Sequence, residues 1–121
     1  MDKFTLFDLR VYKEAKQLVR EIYSLLDTFP KFETYALSDQ LRRAVVSIPS
    51  NIAEGSGRES IKEKIHFLEI AFGSLMEAFS QLQNAQDLEY IKQQKVEDIR
   101  PQFEEAAKMI SGLKASLEKK L

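Results

Sequence analysis

Apolar residues recur at steps of three and four through four successive stretches of this chain. That spacing, close to the 3.6-residue turn of an α-helix, restricts the fold more than any other feature of the sequence. Over residues 8–28 the positions are Leu9, Tyr12, Ala15, Leu18 or Val19, Ile22 and Leu25 or Leu26. Thr5, three residues before Asp8, fits a capping box. Phe29-Pro30 closes the segment, because the residue ahead of a proline disfavours helical backbone. The second stretch runs from Thr34 or Ser38 to Gly55 and carries Leu37, Leu41, Ala44, Val45, Ile48, Ile52 and Ala53. Pro49 falls in its middle, where it removes a donor and crowds the Val45 carbonyl, at ~3 kcal/mol in a regular helix. Two short helices or one kinked helix satisfy that. The unbroken period across Pro49 favours the kink, with Ser47 and Ser50 placed to hydrogen-bond the disturbed turn.

Gly55-Ser56-Gly57 is the clearest boundary, with glycine available for a left-handed C-cap. Ser60-Ile61-Lys62-Glu63 spells a capping box for a third helix that holds Ile61, Ile65, Leu68, Phe72, Leu75, Phe79 and Leu82 in register. It should reach about Gln86, with a turn over residues 87–90. The fourth stretch shows Val96, Ile99, Phe103, Ala106, Ile110, Leu113 and Leu117, interrupted by Pro101. That helix either kinks at Pro101 or restarts there with the proline in its first turn. Four amphipathic helices with short connections predict an all-α fold: one domain over residues 1–121, an antiparallel up-down-up-down four-helix bundle, its second helix kinked at Pro49.

Composition supports this reading and removes others. With 121 residues there is material for one core, and four glycines and three prolines are too few for the frequent turns of a β-sandwich. The absence of cysteine excludes disulfides, thiolate nucleophiles and cysteine-ligated zinc, and fits a reducing compartment. No apolar run approaches the ~20 residues of a membrane span, and Met1-Asp2-Lys3-Phe4 lacks a signal-peptide layout. The expectation is a cytoplasmic protein with no membrane contact. The formal charge of −1 lacks the basic surplus of a dedicated nucleic-acid binder, so any such role must come from a local stripe.

Little catalytic chemistry is in reach. His66 is the single histidine, and Glu63-x-x-His66 has the ligand spacing of di-iron bundles. Those sites need the pair on two helices and a glutamate from each of the others. A flank histidine beside a capping glutamate is the expectation, with no metal and no cofactor. Gly55-Ser56-Gly57 lacks the preceding strand, lysine and third glycine of a phosphate loop. Arg43, Ser47, Asn51 and Glu54 share one stripe of the second helix, level with Gly73, Ser74 and Glu77 of the third if the two form a hairpin. Gly73 would admit close approach and Glu77 would meet Arg43, giving a structural polar network that sets helix register; a direct ligand role is the alternative. Arg10, Lys13, Lys16 (or Gln17) and Arg20 line one face of the first helix, with Glu14 and Glu21 close by. That face is either simply solvated or an RNA- or partner-binding stripe. Phe4, Phe7, Phe32 and Tyr35 read as exposed aromatics that association would cover.

The string LRRAVVSIPSNIAEG at residues 41–55, followed by Gly57-Arg58, resembles the signature of the bacterial 23S rRNA intervening-sequence protein family, also called S23-type four-helix-bundle proteins. Further marks are Asp8-Leu9, Val11-Tyr12 and Ala15, Phe29-Pro30, Phe67-Leu68, and Ala71-Phe72-Gly73-Ser74-Leu75 with Glu77 and Leu82. The resemblance implies an antiparallel four-helix bundle with the segment around Pro49 inside the second helix, and a ring-shaped homopentamer. The family name records a gene location rather than an activity. A similar bundle is the accessory variability protein of diversity-generating retroelements, which works with a reverse transcriptase and nucleic acid. Two features depart from that pattern: the slightly acidic charge and Pro101. The expected function is a non-catalytic, homo-oligomeric accessory factor that binds structured RNA or a nucleic-acid-processing protein. Arg10, Lys13, Lys16, Arg20, Arg42 and Arg58 would supply phosphate contacts. The alternative is a protein-interaction scaffold with no nucleic-acid contact.

Overall fold

A computed structural model describes residue 6 and residues 9–121 of the protein. The proposed Thr5–Asp8 cap and the aromatics Phe4 and Phe7 lie outside the described residues. Four helices form: α1 Arg10–Leu26, α2 Leu37–Ser56, α3 Ile61–Asp87 and α4 Gln93–Glu118, with a 3-10 turn at Lys31–Glu33 between the first two. Each packs on the next in the chain, and α1 also packs on α4, so α1 and α3 stand at opposite corners of the bundle. Ser47 bonds Ser74 and Gln40 bonds Gln81, pairs whose numbers run in opposite senses; α2 and α3 are therefore antiparallel. Leu18, Ile22, Leu41, Ile48, Ile52, Leu75, Leu82 and Ile110 are fully buried, and all belong to the periodic positions. None of the described helices is long and apolar enough to cross a membrane.

Pro49 and Pro101 both sit inside unbroken helices. α2 passes through Pro49, which removes the reading as two short helices. Pro49 is itself buried, so its ring adds apolar contact where its missing N–H removes a bond. Ser50 Oγ donates to the Val46 carbonyl at 2.9 Å, whereas the Ser47 hydroxyl crosses to α3 instead. α4 begins at Gln93, so Pro101 does not start a new helix. It occupies the exposed face, where water can hydrogen-bond the carbonyl one turn back.

Helix ends use three devices. Ser60 caps α3 by accepting the Glu63 N–H at 3.1 Å, the contact its capping box requires. The C-terminus of α2 differs from expectation: Gly57 has φ −82°, and no described glycine has positive φ. Lys64 reaches across from α3 and donates to the Ser56 carbonyl at 3.1 Å, offering cationic charge to the negative end of α2. Among the described residues the left-handed one is Glu89, φ 64°, after α3. There Tyr90 N–H bonds the Ala85 carbonyl and Glu89 N–H bonds that of Gln86, the Schellman pattern with glutamate at the position glycine usually takes. Glu89→Gly should therefore raise unfolding free energy by about 1 kcal/mol in urea titrations.

This turn also fastens one end of the bundle. Tyr90 donates its hydroxyl to Glu33 Oε2 at 2.7 Å, and its ring lies 5.6 Å from that of Phe29. The hydrogen bond to Glu33, reinforced by burial and by the Glu33 charge, raises the Tyr90 pKa above its ordinary value.

Candidate nucleic-acid interface

The apolar stripe Val11, Ala15, Leu18, Ile22 and Leu25 fixes which side of α1 meets the core. A helix so oriented must send the residues about half a turn away straight outward. Lys13, Lys16 and Arg20 take those positions, Arg10 lies nearer the flank in the first turn, and all four are exposed. The other exposed residues of α1 are Gln17, Tyr23 and Ser24. Glu14 and Glu21 are only half-exposed and lie on the flank, so among the described residues of α1 no fully exposed carboxylate shares the cationic face. Gln17 stands between the two sets: it donates to Glu21 Oε1 at 3.2 Å and accepts from Arg20 Nη1 at 3.3 Å. Arg20 is thereby held by a neutral amide that leaves its charge unneutralised. Lys16 Nζ lies 5.9 Å from the centre of the Tyr12 ring. Among the described residues none of the four cations makes an ion pair. Along the axis they cover about 15 Å.

Arg42 and Arg58 are placed differently, both off α1. Arg42 is ion-paired with Asp39. Arg58 pairs with Glu54 at 3.2 Å and stacks on Phe67 with 4.8 Å to the ring centre. Each therefore has a carboxylate partner within the protein, which the α1 cations lack among the described residues.

The polar stripe of α2 divides in the same way. Ser47 Oγ and Ser74 Oγ are 2.8 Å apart, and Asn51 Nδ2 donates to both the hydroxyl and the carbonyl of Ser47 at 2.8 Å. This half-buried trio joins α2 to α3 at the expected level. Arg43 and Glu77 do not meet. Arg43 Nε bonds Asp39 Oδ2 at 2.9 Å instead, since a carboxylate one turn back on the same helix costs less side-chain ordering. Glu54 binds Arg58. Gly73 is exposed, and a Cβ there would meet nothing within 4 Å; the close approach is made by Gly55, where a Cβ would lie 3.0 Å from Phe67 Cβ and 3.3 Å from the Lys64 carbonyl. Glu63 and His66 are exposed on α3, and the described residues contain no group of three potential ligands around them. A groove of about 240 Å³ lies between α3 and α4, lined by Leu68, Glu69, Phe72, Ile110, Ser111 and Lys114.

Asp39, missed in the sequence, is the hub of the α2 N-terminus. Signs of it were its place in the helix's first turn and the arginines three and four residues on. The hydrogen bond from Arg42 holds its carboxyl below the ordinary 3.8; burial opposes this, and the charge and hydrogen bond of Arg43 add to it. A lowered folded pKa makes the contribution complete above the unfolded value and lost as pH falls through the folded one. Asp39→Asn should thus destabilise the protein at neutral pH, with the difference from wild type vanishing in acid. Paired denaturant titrations across pH would show it.

The sequence pattern of the family described as 23S rRNA-intervening sequence protein matches residues 7–112, a span reaching from ahead of α1 to Gly112 in α4. No curated protein matches the chain.

Proposed function

The chain belongs to the 23S rRNA-intervening sequence protein family, and from that premise we propose that it acts by binding and assembly, holding structured RNA against the outer face of α1. The observation that carries this reading is the separation of charge on that helix. Four cations face solvent, none is ion-paired among the described residues, and both glutamates are turned to the flank. A chain of net charge −1 can attract phosphate where its cations are segregated in this way. We place it in the cytoplasm as a non-catalytic accessory factor that needs no cofactor, working on RNA directly or beside a nucleic-acid-processing protein.

Self-association into a ring, most simply the pentamer that the resemblance implies, would repeat the cationic face and add weak contacts through multivalency. Val46 and Ser50 of α2 and Ile70 and Gly73 of α3 are exposed and uncharged, and with Arg43 and Glu77 beside them they offer a surface strip suited to a neighbouring copy. Light scattering should show an oligomer at micromolar concentration, and a monomer alone would contradict the assembly. The same strip favours a second reading, a scaffold for another protein without nucleic acid. A partner whose retention survives nuclease treatment would support that reading over the first.

Lysine acylation in the presence of structured RNA tests the binding face. Lys13 and Lys16 should be protected, while Lys62 on α3 and Lys95 on α4, equally exposed, should react as in the free protein. Protection spread evenly over all four would remove α1 as the interface.

A further inference from the structure

The α1 face provides for phosphates but offers little to a base. Where α1 ends, three aromatic rings stand in solvent: Tyr23 is 44% exposed, Phe32 77% and Tyr35 95%. Tyr23 follows Arg20 by three residues and continues the cationic stripe along the helix. Exposed Lys31 opens the turn that carries Phe32, and exposed Asp27 is the carboxylate between α1 and that turn. Phe32 is held in place. Its ring packs in a T-shaped pair with Tyr90, centroids 6.3 Å apart and planes at 78°, and Tyr90 is anchored by Glu33 and Phe29. With 77% of its surface still exposed, the Phe32 ring is open to a partner, and its contact with Tyr90 limits the further freedom lost on binding.

We propose that this end of the bundle stacks unpaired RNA bases on Phe32 and Tyr35, while the α1 cations hold the adjoining phosphates. The ligand is then a single-stranded segment, such as a loop, bulge or tail. The inference rests on the RNA-binding reading above and specifies its substrate. Bases within a duplex stack on each other and present no face to a side chain, whereas unpaired bases do. Base–aromatic stacking tolerates any sequence. A second copy of the chain is the other occupant to consider. The cations of α1 that run up to this end favour a phosphate-bearing occupant over a second copy of the same charge.

The test is fluorescence anisotropy of the full chain with an unpaired oligoadenylate of about 12 nucleotides and with a blunt RNA duplex of equal length. The unpaired probe should bind roughly tenfold tighter or better. Phe32→Leu and Tyr35→Leu, which keep an apolar side chain but remove the π face, should each weaken that binding by roughly tenfold and leave duplex binding unchanged. Equal affinity for both probes, unaffected by the substitutions, overturns the stacking inference and leaves RNA binding intact. Absence of binding to either probe at low salt overturns both. A fall in oligomer mass with Tyr35→Leu would assign the rings to self-association and overturn the inference as well.

Discussion

Gly55→Val is expected to lower the unfolding free energy by about 2–3 kcal/mol, the largest stability effect the fold predicts for so small a change. At this position the backbone of α2 comes so near α3 that a Cβ would sit 3.0 Å from Phe67 Cβ and 3.3 Å from the Lys64 carbonyl oxygen. Neither atom is the loose end of a side chain. Relief requires α2 and α3 to part, which would also pull Lys64 from the carbonyls of Ser56 and Gly55. Gly73→Ala is the control. It lies in α3 with nothing within 4 Å of a new Cβ, so the helix-propensity gain acts alone and stability should rise by about 0.5–1 kcal/mol. Urea unfolding of the two variants should move the midpoint in opposite directions.

Charge reversal on α1 is expected to have the largest functional effect. Lys13→Glu with Lys16→Glu removes two phosphate contacts and adds two repulsions. It should weaken RNA binding by roughly a hundredfold or more at low salt. Both side chains point outward from an exposed face, so the melting temperature should scarcely move. Equivalent reversal of Arg42 should do less to RNA binding, because it lies off α1 and Asp39, shared with Arg43, already offsets part of its charge. Direct titration of the three proteins with one RNA separates the faces.

Much of the bundle was legible because helix-forming information is local. The period of three and four located all four helices, and Ser60 with Glu63 located the start of α3 to the residue. The level of Ser47 against Ser74 followed once the short connection made α2 and α3 antiparallel. Features that depend on distant partners were not legible. The end of α2 read as a left-handed glycine, but its carbonyls are served by Lys64 from the next helix. Gly73 and Gly55 look alike in sequence; only the packing shows that Gly55 is the one in close contact. The left-handed Glu89 carries no residue signal, since glutamate occupies a glycine position. On α1 the four cations were legible as a stripe, but the retreat of Glu14 and Glu21 to its flank depends on where the core side points. Likewise, Phe32 and Tyr35 read as apolar surface awaiting cover, and only the contacts of Tyr90 show that Phe32 is held with most of its ring outward.

The most direct test of binding through α1 is the salt dependence of RNA affinity, measured for wild type and for a variant with Arg10, Lys13, Lys16 and Arg20 all changed to glutamine. Four released counterions predict a slope of log affinity against log salt near about −3, or roughly fiftyfold weaker binding between about 50 and 200 mM salt. The variant's slope should fall close to zero, with its helical content unchanged. A wild-type affinity that ignores salt, or a variant that keeps the wild-type slope, would contradict the claim that this face holds the RNA.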